Sequence, residues 1–371
     1  MKRIKPKKKA ALRKLLLRRQ RKHAYRCALK VRRKHDIDGE YSKRLSRRKS
    51  RHIPIKIITV PSVICLDHNQ AETIDFINGL HFYLQNKGTK IRLDFSELKS
   101  ISPAAALMLA SVLYCWSKKS HQQITLHDQT QWDPMMRHLL NDMGLFDLMN
   151  VKNPPSYSEK AEPTKEFLRF CSGNNVDASP YGPFREKIVE TFGPISDMKK
   201  LYKAISEAMT NSFQHAYPLQ KHKLGFGCWW MFGAYDWTTK ELTISFCDLG
   251  IGIPKALPRK YSLEYLRELL SMVRMPVNDD AKMIKAAMEI KRTQTKKGYR
   301  GKGMPGMKEI INANPSSCMR VYSSGGMYEY AHSTEEKIQG LKGVLPGTII
   351  EWRFLLSAVE AIKQDPEKAV A

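Results

Sequence analysis

Charge is spread so unevenly along this chain that it decides where a fold can form. Residues 1–52 begin MKRIKPKKKAALRKLLLRRQRKHAYRCALKVRRKH and carry 23 Lys+Arg against 3 Asp+Glu, a net of +20. The remaining residues carry 40 against 33, a net of +7, within a total of +27 over 371 residues. Like charge at that density does not pack into a core, so 1–52 reads as a solvated arm that orders only on a polyanion. Its segment AALRKLLLRRQRKHAYRCALKV has the composition of a basic helix. The functional reading is phosphate contact with nucleic acid, which is salt-dependent. Few aromatics interleave the charges, so sequence-specific base reading is not indicated. A solubilising tail is the plain alternative. An anionic membrane is the weaker one, because the apolar face is small.

Folding is therefore a matter for the rest of the chain, and residues 53–150 alternate in period. IPIKIITVPSVICL, TKIRLDFSEL and QQITLHD are strand-like. NQAETIDFINGLHFYLQNKG, closed by Gly88, is a helix. So are SPAAALMLASVLYCWSKK, started by Ser102 and Pro103, and WDPMMRHLLNDMG, ended by Gly144. This alternation implies a small α/β domain. Residues 151–182 are rich in Pro, Ser and Gly and read as a linker with one short strand, EFLRF. From 183 come helices, the long strands LGFGCWWMFGAYDW and ELTISFCDLG, and a polar helix-rich stretch at 254–300. A Gly-rich turn and helix follow, then the strands SCMRVYSSGG and GTIIEWRF. The tail is 356–371.

Seven Cys, an odd number without a CxxC pair, favour reduced thiols in a cytoplasmic setting. No apolar run reaches the roughly 18 residues that span a bilayer, and the charged N-terminus has no apolar stretch of a secretory signal.

Three short motifs carry chemistry. In ISEAMTNSFQHAYP, residues 205–218, Glu207, Asn211 and His215 fall four apart and so on one helix face. A wet face is the plain reading; a metal and phosphate site is the sharp one. In CDLGIGIP, residues 247–254, Asp248 ends a strand, and Gly250 and Gly252 allow a tight turn and close approach of a ligand. In GYRGKGMPGM, residues 298–307, Gly301, Gly303 and Gly306 form GxGxxG before a helix, a pattern that offers backbone N–H groups to phosphate. A dinucleotide-binding reading lacks the preceding strand and the acid about 20 residues on. A Walker A reading lacks the GK[ST], and protein kinase signatures are absent.

The order of these motifs resembles the GHKL ATPase superfamily, which includes gyrase, heat-shock chaperone, mismatch-repair and histidine kinase ATPases and the anti-sigma factor kinases. The resemblance covers 183–355 and implies an ATP-binding α/β sandwich. It assigns Asn211 to Mg²⁺ bridging the phosphates and Glu207 to general base toward water, roles suited to an amide oxygen and a carboxylate one turn apart. It assigns Asp248 to the adenine amino group and Thr348, in PGTIIEW, to adenine support through Asp248 and water. Gly250 and Gly252 let the base lie close. Gly301, Gly303 and Gly306 wrap the phosphates, Lys302 sits on the terminal one, and 254–300 is a lid. His215 is expected to cap or pack the helix end, and Trp229, Trp230 and Trp237 to be core or interface.

SEAMTNSFQHAYP looks closest to the anti-sigma serine kinases. IRLDFSELKSISPAAALMLAS resembles a STAS domain, the fold of anti-sigma-factor antagonists. Aligned on Asp94, the position of the antagonists' phosphorylated Ser falls at Ala104, so a docking or dimerising module is expected there rather than a substrate. A sensor histidine kinase needs an upstream phosphoacceptor His, and residues 151–200 contain none. The resulting expectation is a cytoplasmic ATP- and Mg²⁺-binding regulator whose STAS-like domain meets a protein partner. A homodimer is compatible with it. The rivals are a serine/threonine kinase acting in trans and a nucleic-acid-associated ATPase gripping through 1–52.

Overall fold

The computed structural model describes residues 55–85, 90–119, 124–151, 164–176, 179, 181–192, 198–218, 229–262, 264–266, 279–290, 303–332 and 334–356. The arm 1–52 and the tail beyond Leu356 lie outside them, so the expected polyanion contact does too. So do Lys296, Lys297, Arg300, Gly301 and Lys302. The described residues form one compact unit of mixed α/β structure.

Its first part follows the alternation read from the sequence. The strands are β1 (Ile55–Thr59), β2 (Val63–Ile64), β3 (Lys90–Asp94), β4 (Ser100–Ile101) and β5 (Thr125–Leu126). The helices are α1 (Gln70–Gln85), α2 (Pro103–Lys119), α3 (Pro134–Asp142) and the short α4 (Leu145–Leu148). Parallel strands ordered β1-β3-β5 form a small sheet, and β2 pairs with β4. Local signals set the helix ends. Asp133 caps α3 by accepting from Met135 and Met136 N–H at 3.0 and 3.2 Å, with Pro134 at the first position. Gly144 turns the chain after it at φ 98°, which favours glycine.

A larger antiparallel sheet follows, in the order β10-β11-β9-β8-β6. Its strands are β6 (Lys165–Phe167), β7 (Cys171–Gly173), β8 (Trp229–Asp236), β9 (Glu241–Asp248), β10 (Ser317–Ala331) and β11 (Lys337–Leu355). β6 and β7 both come from the expected linker, and both pair with β8. The single short strand expected there is thus two, and they close one edge of the sheet. The helices are α5 (Tyr181–Phe192), α6 (Met198–Asn211), α7 (Ile253–Ala256), α8 (Asp280–Glu289) and α9 (Glu309–Ala313).

Strand periodicity gives this sheet two apolar faces. On β8, Trp230, Phe232 and Ala234 join one buried cluster, while Trp229, Met231 and Tyr235 join the other. On β11, Leu345 and Ile349 belong to the first cluster, and Ile350, Trp352 and Phe354 to the second. The second cluster is completed by α5, α6, α8 and α9. The first is completed by α1, α2 and the small sheet, through residues such as Ile74, Ile77, Ala106 and Leu109. The segments expected as two domains, 53–150 and 183–355, therefore share one core.

A buried ionic seam fixes that junction. Glu351 of β11 is 0% exposed, and its carboxylate accepts from the Ala104 N–H at 3.0 Å, from Arg353 at 2.9 Å and from the Ser245 hydroxyl at 3.4 Å. It caps the first turn of α2 from another element, where a carboxylate complements the free N–H groups and the helix dipole. Asp67 accepts from Tyr322 Oη at 2.7 Å and pairs with Arg320 at 2.8 Å and Arg353 at 3.1 Å. Burial pushes the Asp67 carboxyl up, but Arg353 and Arg320 outweigh it and hold the group below the usual carboxylate value.

Candidate functional site

On the second face of the sheet, α6, the ends of β9 and α8, and the 303–307 segment enclose a cleft. It holds about 810 Å³ of space, counting the open mouth, within the size that takes a small organic ligand. Its walls are mostly apolar: Phe246, Ile253, Leu257, Ile290, Met304, Met307 and Ile350. Polar groups are few. Asp248 and Thr348 lie on the wall from adjacent strands, Asn211 and His215 from the helix, and Lys260 and Tyr261 from the segment after α7.

Asp248 and Thr348 are direct partners in the β9–β11 ladder. Burial drives the Asp248 carboxyl up to about 7, while N–H groups of Gly250, at 2.8 Å, and Thr348 pull it back. The Thr348 hydroxyl is 3.0 Å from that of Ser323, which also accepts from Ile253 N–H at 2.9 Å and donates to the Gly347 carbonyl at 3.0 Å. With no countercharge among the described residues, this buried acceptor lines an apolar cleft.

Asn211 is the last residue of α6, and the next turn, Ser212–Ala216, is a π-helix. Such single π-turns concentrate at functional sites. Both Asn211 and His215 line the cleft, and His215 Nε2 is 3.4 Å from Lys260 Nζ. His215, expected to be a packing residue, is therefore part of the wall. Glu207 is not: it is buried one turn earlier. The Asn211 Nδ2 and Glu207 Oε2 atoms are buried and find no hydrogen-bond partner among the described residues.

The glycines divide by cause. Gly250 is off the cleft wall, and a Cβ there would meet the Ala216 Cβ and carbonyl at 2.4 Å. Its role is to let the turn press against the end of the π-helix, where Ile251 N–H donates to Ala216 at 2.9 Å. That differs from the expected ligand approach. Gly252, at φ 80°, does line the cleft and sits against Ser323 and Ser324. Gly303 lines it, whereas Gly306 is buried beside it. The helix expected after them starts as a 3-10 turn, Met304–Lys308, and continues for only the five residues of α9.

The apolar wall was missed in the sequence, although a signal for it was there. Phe246 is two before Asp248, and Ile350 two after Thr348, so each shares its strand face. Gly347 was missed as well. It has φ 76°, and a Cβ would fall 1.9 Å from the Asp248 carbonyl oxygen.

Among the described residues no cluster of three or more His, Cys, Asp or Glu could hold a metal, and no helix is long and apolar enough to cross a membrane. A scan against models of known protein families gave no match, and neither did a search of curated proteins.

Proposed function

We propose that this chain is a Mg-ATP-binding regulator of the GHKL type, with residues 53–150 as a STAS-like unit built onto its sheet. One observation carries the reading. A single apolar cleft has the buried carboxylate of Asp248 at one wall and the side-chain amide of Asn211, which can offer its oxygen, at another. The first suits the exocyclic amino group of a purine such as adenine. The second suits a metal that takes one protein oxygen and fills its other positions from phosphate and water, as Mg²⁺ does. Mg²⁺ would neutralise phosphate charge when bound.

The residues present fit that ligand. Asp248 accepts, Thr348 orders its neighbourhood, and Phe246, Ile350 and Met307 exclude water from a flat ring. His215 and Lys260 add positive or hydrogen-bonding groups at the wall that also bears Asn211. Glu207 stands behind Asn211 rather than on the wall. This favours a nucleotide-dependent switch, or slow transfer, over rapid hydrolysis, since a general base must reach the water it deprotonates.

The test is calorimetric titration of the full chain with ATP, with and without Mg²⁺. Asn211→Ala should abolish the Mg²⁺-dependent gain in affinity and leave the thermal midpoint near the wild type. An unchanged gain would refute the reading. Following γ-labelled phosphate then separates the chemistries. Free phosphate lost in Glu207→Ala means hydrolysis, label on a partner Ser means a kinase, and label retained on ATP means a switch.

A further inference from the structure

Part of the cleft wall is held from outside. α8 and its C-cap give the wall Ala287 and Ile290, and the 303–307 segment gives it Gly303, Met304 and Met307. Met304 packs against the small cluster that holds Met283, Ala286 and Ala287 of α8. Apolar contact of this kind is non-directional and does not fix how the two pieces sit. A directional tie lies behind the wall.

Glu336, just before β11, meets both pieces. Its carboxylate accepts from Lys308 Nζ at 2.7 Å, at the end of the Met304–Lys308 turn, and pairs with Lys285 Nζ of α8 at 3.3 Å. Lys285 and Ala287 are two residues apart, about 200° around the helix, so the tie and the cleft lie on different sides of α8. A third donor, Tyr328 Oη of β10, reaches the same carboxylate at 2.7 Å, and Tyr328 is fully buried. The carboxylate is thus anchored to the sheet while it holds the wall. Lys308 Nζ also lies 4.6 Å from the centre of the Tyr330 ring, within cation–π range.

The side chains of Glu336, Lys308 and Lys285 are only 21%, 15% and 20% exposed, so salt screens them less than a surface pair. Burial pushes the Glu336 carboxyl up, but Lys308, Tyr328 and Lys285 outweigh it and keep it below its ordinary value. It is therefore ionised at neutral pH. Among the described residues, the ion pairs of Lys285 and Lys308 are both with Glu336. Without that charge two half-buried ammonium groups would be left close together, and attraction between the two pieces would become repulsion.

We propose that Glu336 is a positioning residue of the cleft: from behind the wall it locks α8 to the 303–308 turn, and so sets the affinity for a flat ring held against Ala287, Met304 and Met307. The affinity rests on the reading of the cleft as a purine site; the lock does not.

Two measurements on the full chain test this. Hydrogen exchange of the ligand-free protein reads the lock, and calorimetric titration with adenosine reads its consequence. Adenosine is neutral, so a change in protein charge does not alter its binding through long-range attraction. Glu336→Gln should speed amide exchange in α8 and in 304–311 together, with β8 and β9 unchanged, and weaken adenosine about tenfold, the size of effect carried through a packed network. Glu336→Asp keeps the charge and should restore most of both, since two lysine side chains can follow the carboxylate. Lys337→Gln, which removes the neighbouring pair with Glu329, should change neither. Exchange that speeds in one piece only or in neither, a Glu336→Asp variant as loose as Glu336→Gln, or an adenosine affinity that Glu336→Gln leaves unchanged overturns the proposal. A wild-type chain that binds no adenosine refutes the purine reading, and exchange then decides the lock by itself.

Discussion

Replacing Asp248 by Asn should stabilise the ligand-free protein, and more so at high pH. The folded carboxyl titrates near 7 against an ordinary value of 3.8. Because the folded value is raised, folding is penalised once the unfolded chain ionises, and the penalty grows as pH rises from about 4 to about 7. The difference is about three units, worth about 4 kcal/mol at pH 8 by the conversion of roughly 1.4 kcal/mol per unit. At pH 5 only about one unit has accumulated, or about 1.5 kcal/mol. Asn carries no such penalty. It does lose one acceptor for the Gly250 and Thr348 N–H groups, at a pH-independent cost of about 1–3 kcal/mol. The stability of Asp248→Asn relative to the wild type should therefore climb by about 2–3 kcal/mol between pH 5 and pH 8. Urea unfolding of both proteins at the two pH values measures this. A relative stability that stays flat, or falls with pH, would show that Asp248 is not held as an uncompensated buried carboxylate.

The same group predicts how a ligand binds. A purine amino group donating to Asp248 binds the ionised form more tightly than the acid, so affinity should weaken as pH falls through about 7; titration calorimetry in buffers of different ionisation enthalpy should register the proton released. Glu351→Ala removes a buried carboxylate from Arg353 and from the first turn of α2, and should cost about 3–5 kcal/mol in unfolding free energy, with Glu351→Gln milder because it still accepts from Ala104. Gly347→Ala places a Cβ onto the Asp248 carbonyl at positive φ and should lower the melting temperature and abolish ligand binding together; a variant that binds normally would contradict the assigned geometry.

Much of the element order was legible because local chemistry agreed with the global fold. Pro103 begins α2, Pro134 follows a capping Asp, Gly144 turns left-handed, and the strand-like runs at 229–236 and 241–248 are strands. The motif residues Asn211, Asp248, Gly252, Gly303 and Thr348 also come together in one cleft. What stayed hidden is long-range. Nothing local to VKNPPSYSEKAEPTKEFLRFCSG says that two of its segments add to the edge of a sheet whose other strands begin over fifty residues later. Nor does Ala104 announce that the group capping its helix is a glutamate 247 positions away.

That glutamate shows why the chain resisted division. An amphipathic strand with one buried face alternates apolar and polar residues. Between Ile349 and Phe354, β11 instead reads Ile-Ile-Glu-Trp-Arg-Phe, and both sets are buried or half-buried. Ile350, Trp352 and Phe354 serve the cluster on the cleft side, while Ile349, Glu351 and Arg353 serve the lobe side. A lone Glu among apolar residues reads as a solvent-facing position, and that reading makes the sheet two-layered with a detachable lobe. The buried state is permitted because Glu351 has three donors and Arg353 two carboxylates, the condition under which a charge leaves water without prohibitive cost. Such a seam is intolerant of separation, since parting the lobe from the sheet exposes two apolar faces and strands paired charges. The lobe is therefore a fixed third layer on the large sheet.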